Sequence, residues 1–215
     1  MAPMLLLPLL LTALGSAPAR AQAPLNLTVH YEALCPDSKH FVVDQLEPLW
    51  RRIGSSDVLS LQFVPWGKAW EHEDPTGDGA YVTCQHGPAE CWGNRLHGCV
   101  LSQLADAGQQ LAAVSCLMRN YRWLHAAAPI CVRAAGLDWR RVARCSFSES
   151  ALADALAFGR RTRQLQPPLT FVPTVTADGQ QDGQQLMLYN LEFFVCETWR
   201  MRTGEPAPGC PTDSA

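Results

Sequence analysis

Cys35 stands where an alternating apolar run, LNLTVHYEAL, gives way to residues at helical spacing, and a thiol at such a junction can act as a nucleophile. The first turn of a helix presents unsatisfied amides and the positive end of the helix dipole. Both stabilise a thiolate, the form that attacks disulfides. Pro36 suits the first helical position. Lys39 and His40 add positive charge nearby, and Asp37 opposes it. Disulfide exchangers often carry a second cysteine two residues beyond the first, but that place is occupied here by Ser38. The other use of Cys35 is inert packing. What favours chemistry is Pro173, in FVPTV, which opens a later strand and can hold a cis Val172–Pro173 bond. A cis X-Pro bond belongs to tight, functionally constrained turns.

The chain has nine cysteines, an odd number that leaves one thiol unpaired in an oxidising compartment. Cys35 lies far upstream of Cys84, Cys91, Cys99, Cys116, Cys131, Cys145, Cys196 and Cys210, which makes it the natural outlier. The other eight suit four structural disulfides of open pairing, with Cys196–Cys210 an economical clasp for the C-terminal tail. The alternative leaves a different cysteine free.

These residues need elements to position them. Residues 25–34 alternate as a half-buried strand, and Phe41, Val42, Leu46, Leu49, Trp50 and Ile53 recur at helical spacing, capped by Ser38 or Asp37 and ending near Gly54. Pro48 falls inside that helix and predicts a kink. VLSLQFV, residues 58–64, completes a βαβ unit. EHEDPTGDG reads as a polar, glycine-rich loop. Helical periodicity follows near 91–106, 108–127 and 149–165. LTFVPTVTA, 169–177, returns to strand character, with Asp178-Gly179 as a turn into a hairpin, and Leu186–Met201 reads as a closing helix. The order β-α-β, helical block, β-β-α is that of an α/β thioredoxin-like domain with a helical insertion at about 84–165.

The N-terminal apolar stretch from Met4 to Leu14, followed by Ala19-Arg20-Ala21, reads as a signal peptide over residues 1–21, leaving a single domain over 22–215. The stretch is too short for a bilayer span, which needs about 20 apolar residues, and no membrane insertion is expected. A net charge of −3 argues against nucleic acid as a partner. The arginines at 140, 141 and 144 and at 160, 161 and 163 fit a solvated helix face. Asn26-Leu27-Thr28 is a glycosylation sequon, with Asn26 the acceptor.

The most specific segment is CQHGPAECWGNRLHGC, residues 84–99. Its Cys84, Gln85, His86, Gly87, Glu90, Cys91, Asn94 and Cys99 fit the pattern C-Q-H-G-x-x-E-C-x-x-N-x-x-x-x-C at every fixed position. The segment resembles the signature of the gamma-interferon-inducible lysosomal thiol reductase family. YEALC at 31–35, LQPP at 165–168, the Val172–Pro173 pair and the two C-terminal cysteines extend that resemblance. Zinc ligation by Cys84, His86, Cys91, His97 and Cys99 is the competing use. The spacings lack the paired short knuckles of structural zinc sites, and disulfides are the commoner fate of secreted cysteines, so neither a metal nor a bound cofactor is expected. His86 and Glu90 could take part in catalysis, but bracing the helical block suits them better.

The resemblance implies thiol–disulfide exchange on disulfide-containing proteins by a monomer on the lysosomal or secreted route. In the family's usual C-x-x-C the second cysteine resolves the mixed disulfide, and Ser38 cannot. The expectation is a thiol–disulfide oxidoreductase with one nucleophile, Cys35, substrate contacts at Pro36, Asp37 and Val172, and resolution by an external thiol such as cysteine or glutathione. The alternatives are a catalytically weak client-binding protein that traps partners as mixed disulfides, and a disulfide-stapled ligand dimerised through Cys35.

Overall fold

The computed structural model of the chain describes residues 23–54, 56–75, 77 and 79–211. Residues 1–21, expected to be a signal peptide, lie outside them. A three-stranded sheet of order β2-β1-β5 carries the site. β1 (Leu25–Tyr31) is its centre, pairing parallel with β2 (Leu59–Pro65) from Leu25↔Leu59 to Tyr31↔Pro65, and antiparallel with β5 (Thr174–Ala177). Leu25, Leu27, Val29 and Tyr31 are buried while Asn26 is exposed, as the alternation in the sequence requires. The crossover between β1 and β2 is helical, and parallel neighbours need such a connection.

That crossover is one continuous run of three pieces: α1 (Pro36–His40), a π-helical turn (Phe41–Leu46) and α2 (Glu47–Ile53). Pro48 does not simply kink it. Proline has no N–H and its ring crowds the carbonyl four residues back, and the wider turn immediately upstream accommodates the misfit, with Glu47 N–H bonding to Val42 O. Phe41, Val42, Leu46, Leu49 and Ile53 meet the β1 and β2 side chains in the main core.

The stretch read as a glycine-rich loop is partly ordered as a hairpin, β3 (Trp70–Glu73) with β4 (Ala80–Thr83). The sequence gives it away poorly because no regular apolar alternation marks either short strand. His72 and Tyr81 stack across it at 4.7 Å between ring centres.

Five helices follow: α3 (Pro88–Leu101), α4 (Ala107–Arg119), α5 (Leu124–Ala134), α6 (Trp139–Ser146) and α7 (Glu149–Arg163). α6 carries the arginines at 140, 141 and 144. They are partly or fully exposed, while Val142 and Ser146 face inward. A second core, built on Trp92, Leu96, Val100, Leu117, Leu124 and Val132, includes Ala33 from the segment just before Cys35. Disulfides Cys99–Cys145 and Cys116–Cys131 cross-link this block, Cys84–Cys91 closes the loop entering α3, and Cys196–Cys210 clasps the C-terminal segment.

After β5 the expected hairpin reduces to an isolated bridge between Ala177 and Gln180. Asp178 and Gly179 do turn the chain, both at positive φ, but no return strand forms, and residues 184–189 are helical. The expected closing helix is likewise two, α8 (Gln184–Tyr189) and α9 (Leu191–Thr203), broken at Asn190, whose side-chain oxygen accepts the Phe193 N–H as an N-cap.

Candidate active site at the β1–α1 junction

Cys35 is the N-cap of α1, and among the described residues it is the free cysteine. Its Sγ accepts the Ser38 N–H at 3.4 Å, so the helix's own amide engages the sulfur. It also faces the Val172 carbonyl oxygen at 3.8 Å. The Val172–Pro173 bond is cis, as is Gln166–Pro167 in the preceding loop. The 35–38 turn and the 172–173 turn, distant in sequence, thus meet at one sulfur. Cys35 keeps 7% of its surface exposed, and Val172 beside it is equally covered. Pro36 and Asp37 are exposed, and Ser38 is fully buried.

Ser38 does more than occupy the place of a second cysteine. Its Oγ accepts the Glu32 N–H at 3.4 Å, while Cys35 N–H bonds back to Glu32 O at 3.3 Å. The segment between β1 and α1 is therefore held by hydrogen bonds at both ends of the turn. Ala33 is pinned separately: its N–H donates to Asn94 Oδ1 at 2.9 Å, so a signature residue on α3 braces the residue two places before Cys35.

Two further signature residues, His86 and Glu90, converge on Glu32, which the sequence reading did not single out. Glu32 and Glu90 are both buried. His86 Nδ1 lies 2.6 Å from Glu90 Oε2 and 3.4 Å from Glu32 Oε2. Glu32 Oε1 accepts the Lys68 N–H at 2.6 Å. Burial pushes the Glu32 carboxyl up to about 7; the Lys68 amide works against this, and the neighbouring Glu90 adds to it. Gly67, at φ +60°, lets the chain after β2 wrap this carboxylate, since a Cβ there would fall 2.3 Å from Glu32 Cγ. The clue in the sequence is an acid, Glu32, at the point in YEAL where the strand's alternation gives way to apolar residues.

Zinc ligation by the signature cysteines does not survive the pairing. Cys84 and Cys91 are bonded to each other and Cys99 to Cys145, so none offers a thiolate. His97 is turned to a different task. It is buried in the β1–α3 interface, with Nδ1 2.8 Å from Tyr31 Oη, and desolvation lowers its pKa to about 3. Asn26 sits on β1 with its side chain exposed, 3.3 Å from Asp178 Oδ1.

Comparison with known proteins agrees with this arrangement. The family model for gamma interferon inducible lysosomal thiol reductase (GILT) matches residues 26–135. The gamma-interferon-inducible lysosomal thiol reductase of Carassius auratus is 30% identical over 194 residues, covering 87% of this chain and 72% of its own length. A protein named gamma-interferon-inducible lysosomal thiol reductase-like, from Anopheles gambiae, is 30% identical over 208 residues, covering 90% and 85%. Among solved structures, BdbD from Bacillus subtilis superposes with a TM-score of 0.60 at 10% identity, covering 82% of this chain and 88% of that one. A thioredoxin-like oxidoreductase from Silicibacter pomeroyi gives 0.53 at 12% identity, covering 83% and 88%. The structural likeness establishes a thioredoxin-like fold. With a family model spanning the strand, the Cys35 turn and the signature helix, the chain belongs to the gamma interferon inducible lysosomal thiol reductase family.

Proposed function

We propose that this chain exchanges disulfides of protein substrates through Cys35 alone, with resolution by an external thiol. Membership in the family makes it a thiol–disulfide oxidoreductase. The single-thiol mechanism rests on one observation: the nucleophile sits at the helix N-cap with Ser38, not a second cysteine, in the following turn.

The Cys35 thiolate attacks one sulfur of a substrate disulfide. A Cys35–substrate disulfide forms, and the other substrate sulfur leaves as a thiolate. A small-molecule thiolate such as cysteine or glutathione then attacks the mixed disulfide at the substrate sulfur, releasing the Cys35 thiolate and leaving the substrate joined to the small thiol. A second small thiol frees that substrate sulfur and is itself oxidised with the first to a disulfide. Two external thiols are oxidised and one substrate disulfide is reduced. The Val172 backbone, adjacent to the sulfur, is the surface on which a substrate strand pairs. Pro36 and Asp37, exposed beside it, are the other contacts.

The substrates are disulfide-containing proteins met on the secretory route. Relatives named as lysosomal thiol reductases support a lysosomal or secreted location, and a monomeric state and a glycan on the Asn26 sequon are part of the same proposal. No helix among the described residues is long and apolar enough to cross a membrane.

The test is turnover of a disulfide protein with added cysteine or glutathione. Cys35→Ala is expected to fall to the uncatalysed background, and an unchanged rate refutes the mechanism. A second reading is favoured by the same absence of a resolving thiol: a binding protein that holds clients as long-lived mixed disulfides. Acid-quenched, non-reducing gels separate the two. Adducts that persist in excess glutathione, with no multiple turnover, support the binder.

A further inference from the structure

The cluster of Glu32, His86 and Glu90 offers a donor set that exchange at Cys35 does not use. One ligand atom from each residue lies within 4.8 Å of the others. Each carboxylate is tethered through one oxygen to a backbone amide: Glu32 Oε1 to Lys68 N–H at 2.6 Å, Glu90 Oε1 to His86 N–H at 2.9 Å. The tethers turn the remaining oxygens toward His86 Nδ1, Glu90 Oε2 at 2.6 Å and Glu32 Oε2 at 3.4 Å. Glu32 Oε2 is buried and has no hydrogen-bond partner. A proton on Nδ1 serves Glu90 and leaves that oxygen unmatched. Two buried carboxyl groups thus face one imidazole, and a buried oxygen left without a partner is costly unless it is hydrogen-bonded or coordinated.

We propose that Glu32, His86 and Glu90 form a three-ligand site for a divalent transition-metal ion of the zinc type, with its remaining position open to water. Ligand bonds of about 2.0–2.2 Å place tetrahedral donor atoms roughly 3.3–3.6 Å apart. The Glu32–His86 separation already matches, and the His86–Glu90 separation widens by about 1 Å when the metal replaces the Nδ1 proton. The frame is rigid. Cys84–Cys91 closes the loop bearing His86, Gly67 lets the backbone approach Glu32, and the amide tethers orient both carboxylates. The His86 side chain is 35% exposed and gives the ion its way in. A bound ion clamps this loop to Glu32, whose carbonyl receives the Cys35 N–H, and so ties the signature to the nucleophile's turn.

The experiment uses the Cys35→Ala chain, so that no free thiol competes for metal and the result is separate from the exchange reaction. Zinc binding is followed by equilibrium dialysis with elemental analysis, and by the rise in melting temperature with added zinc. One zinc per chain is expected. Adding Glu32→Gln or His86→Gln should weaken it by about tenfold or more. His72→Gln, on the exposed β3–β4 hairpin, should leave it unchanged. If Glu32→Gln fails to fold, the partly exposed His86→Gln decides. Absence of stoichiometric zinc in the Cys35→Ala chain overturns the proposal, as does full retention of binding and of the thermal shift in His86→Gln.

Discussion

At the scale of single residues, Ser38 separates this chain from a dithiol exchanger. The Ser38 N–H already reaches Cys35 Sγ at 3.4 Å, so the backbone of the turn has the compact form a C-x-x-C pair requires. Ser38→Cys is therefore expected to shorten the lifetime of the mixed disulfide by about tenfold or more, because resolution becomes intramolecular. Quenched-flow gel analysis of a trapped substrate checks this, and an unchanged lifetime means the new thiol cannot reach Cys35. Gly67 is the second diagnostic position. Gly67→Ala puts a Cβ against Glu32 Cγ at a left-handed φ, which should cost about 2–3 kcal/mol in denaturant unfolding. A loss below about 0.5 kcal/mol would mean the Glu32 side chain moves aside freely.

At the scale of elements, the parts with strong periodicity were legible and the parts defined by contact were not. β1, the crossover helix and β2 could be read because Leu25, Leu27 and Val29 alternate and Phe41, Val42, Leu46, Leu49 and Ile53 recur at helical spacing, and the structure places all eight in one core. Cys35 and Pro173 could be read from residue type, but their meeting through the Val172 carbonyl is tertiary and has no local signal. Glu32 was missed for the same reason: its partners Lys68, His86 and Glu90 come from two other segments. The β3–β4 hairpin and the break at Asn190 rest on a few hydrogen bonds each, too little to stamp a pattern on the sequence. The C-terminal clasp was legible from cysteine spacing and carries a prediction. Cys210 packs at the edge of the main core and Ala207 is buried in it, so the tail after α9 is a structural element held by Cys196–Cys210. Replacing both cysteines by serine should lower unfolding free energy by about 3 kcal/mol, mainly through the freed unfolded chain. Urea titration measures it, and no change would show that the tail docks without the bridge.

At the scale of the whole molecule, the interface between β1 and the helical block sets how the protein responds to acid. Tyr31 on β1 and His97 on α3 meet across it, fully buried, with Tyr31 Oη 2.8 Å from His97 Nδ1 and no partner for His97 Nε2. Desolvation holds the folded-state pKa of His97 near 3, whereas the unfolded chain protonates it near 6.5. The folded form binds fewer protons, so stability is fully present above pH 6.5 and falls as the pH drops toward the folded value. At about pH 5 this one imidazole costs roughly 2 kcal/mol. Asp44 and Asp178, whose carboxyls are held low by Lys39 and by the Asn26 amide and Arg202 respectively, act in the same direction, but only once the pH approaches the ordinary carboxylate range. Between pH 6.5 and 5 the slope belongs to buried groups of both signs: His97 and His30, whose pKa burial lowers to about 4, weaken the fold as the pH falls, while Glu32, whose carboxyl burial raises to about 7, opposes them. His97→Gln keeps a hydrogen-bonding partner for Tyr31 without a group that titrates there. The variant should be less stable at pH 7 yet lose less on acidification, so that its unfolding free energy converges on that of the parent by about pH 5. Urea midpoints at several pH values measure the two slopes. Parallel curves would mean that His97 gains access to water in the folded state and that the seam between sheet and helical block opens in acid.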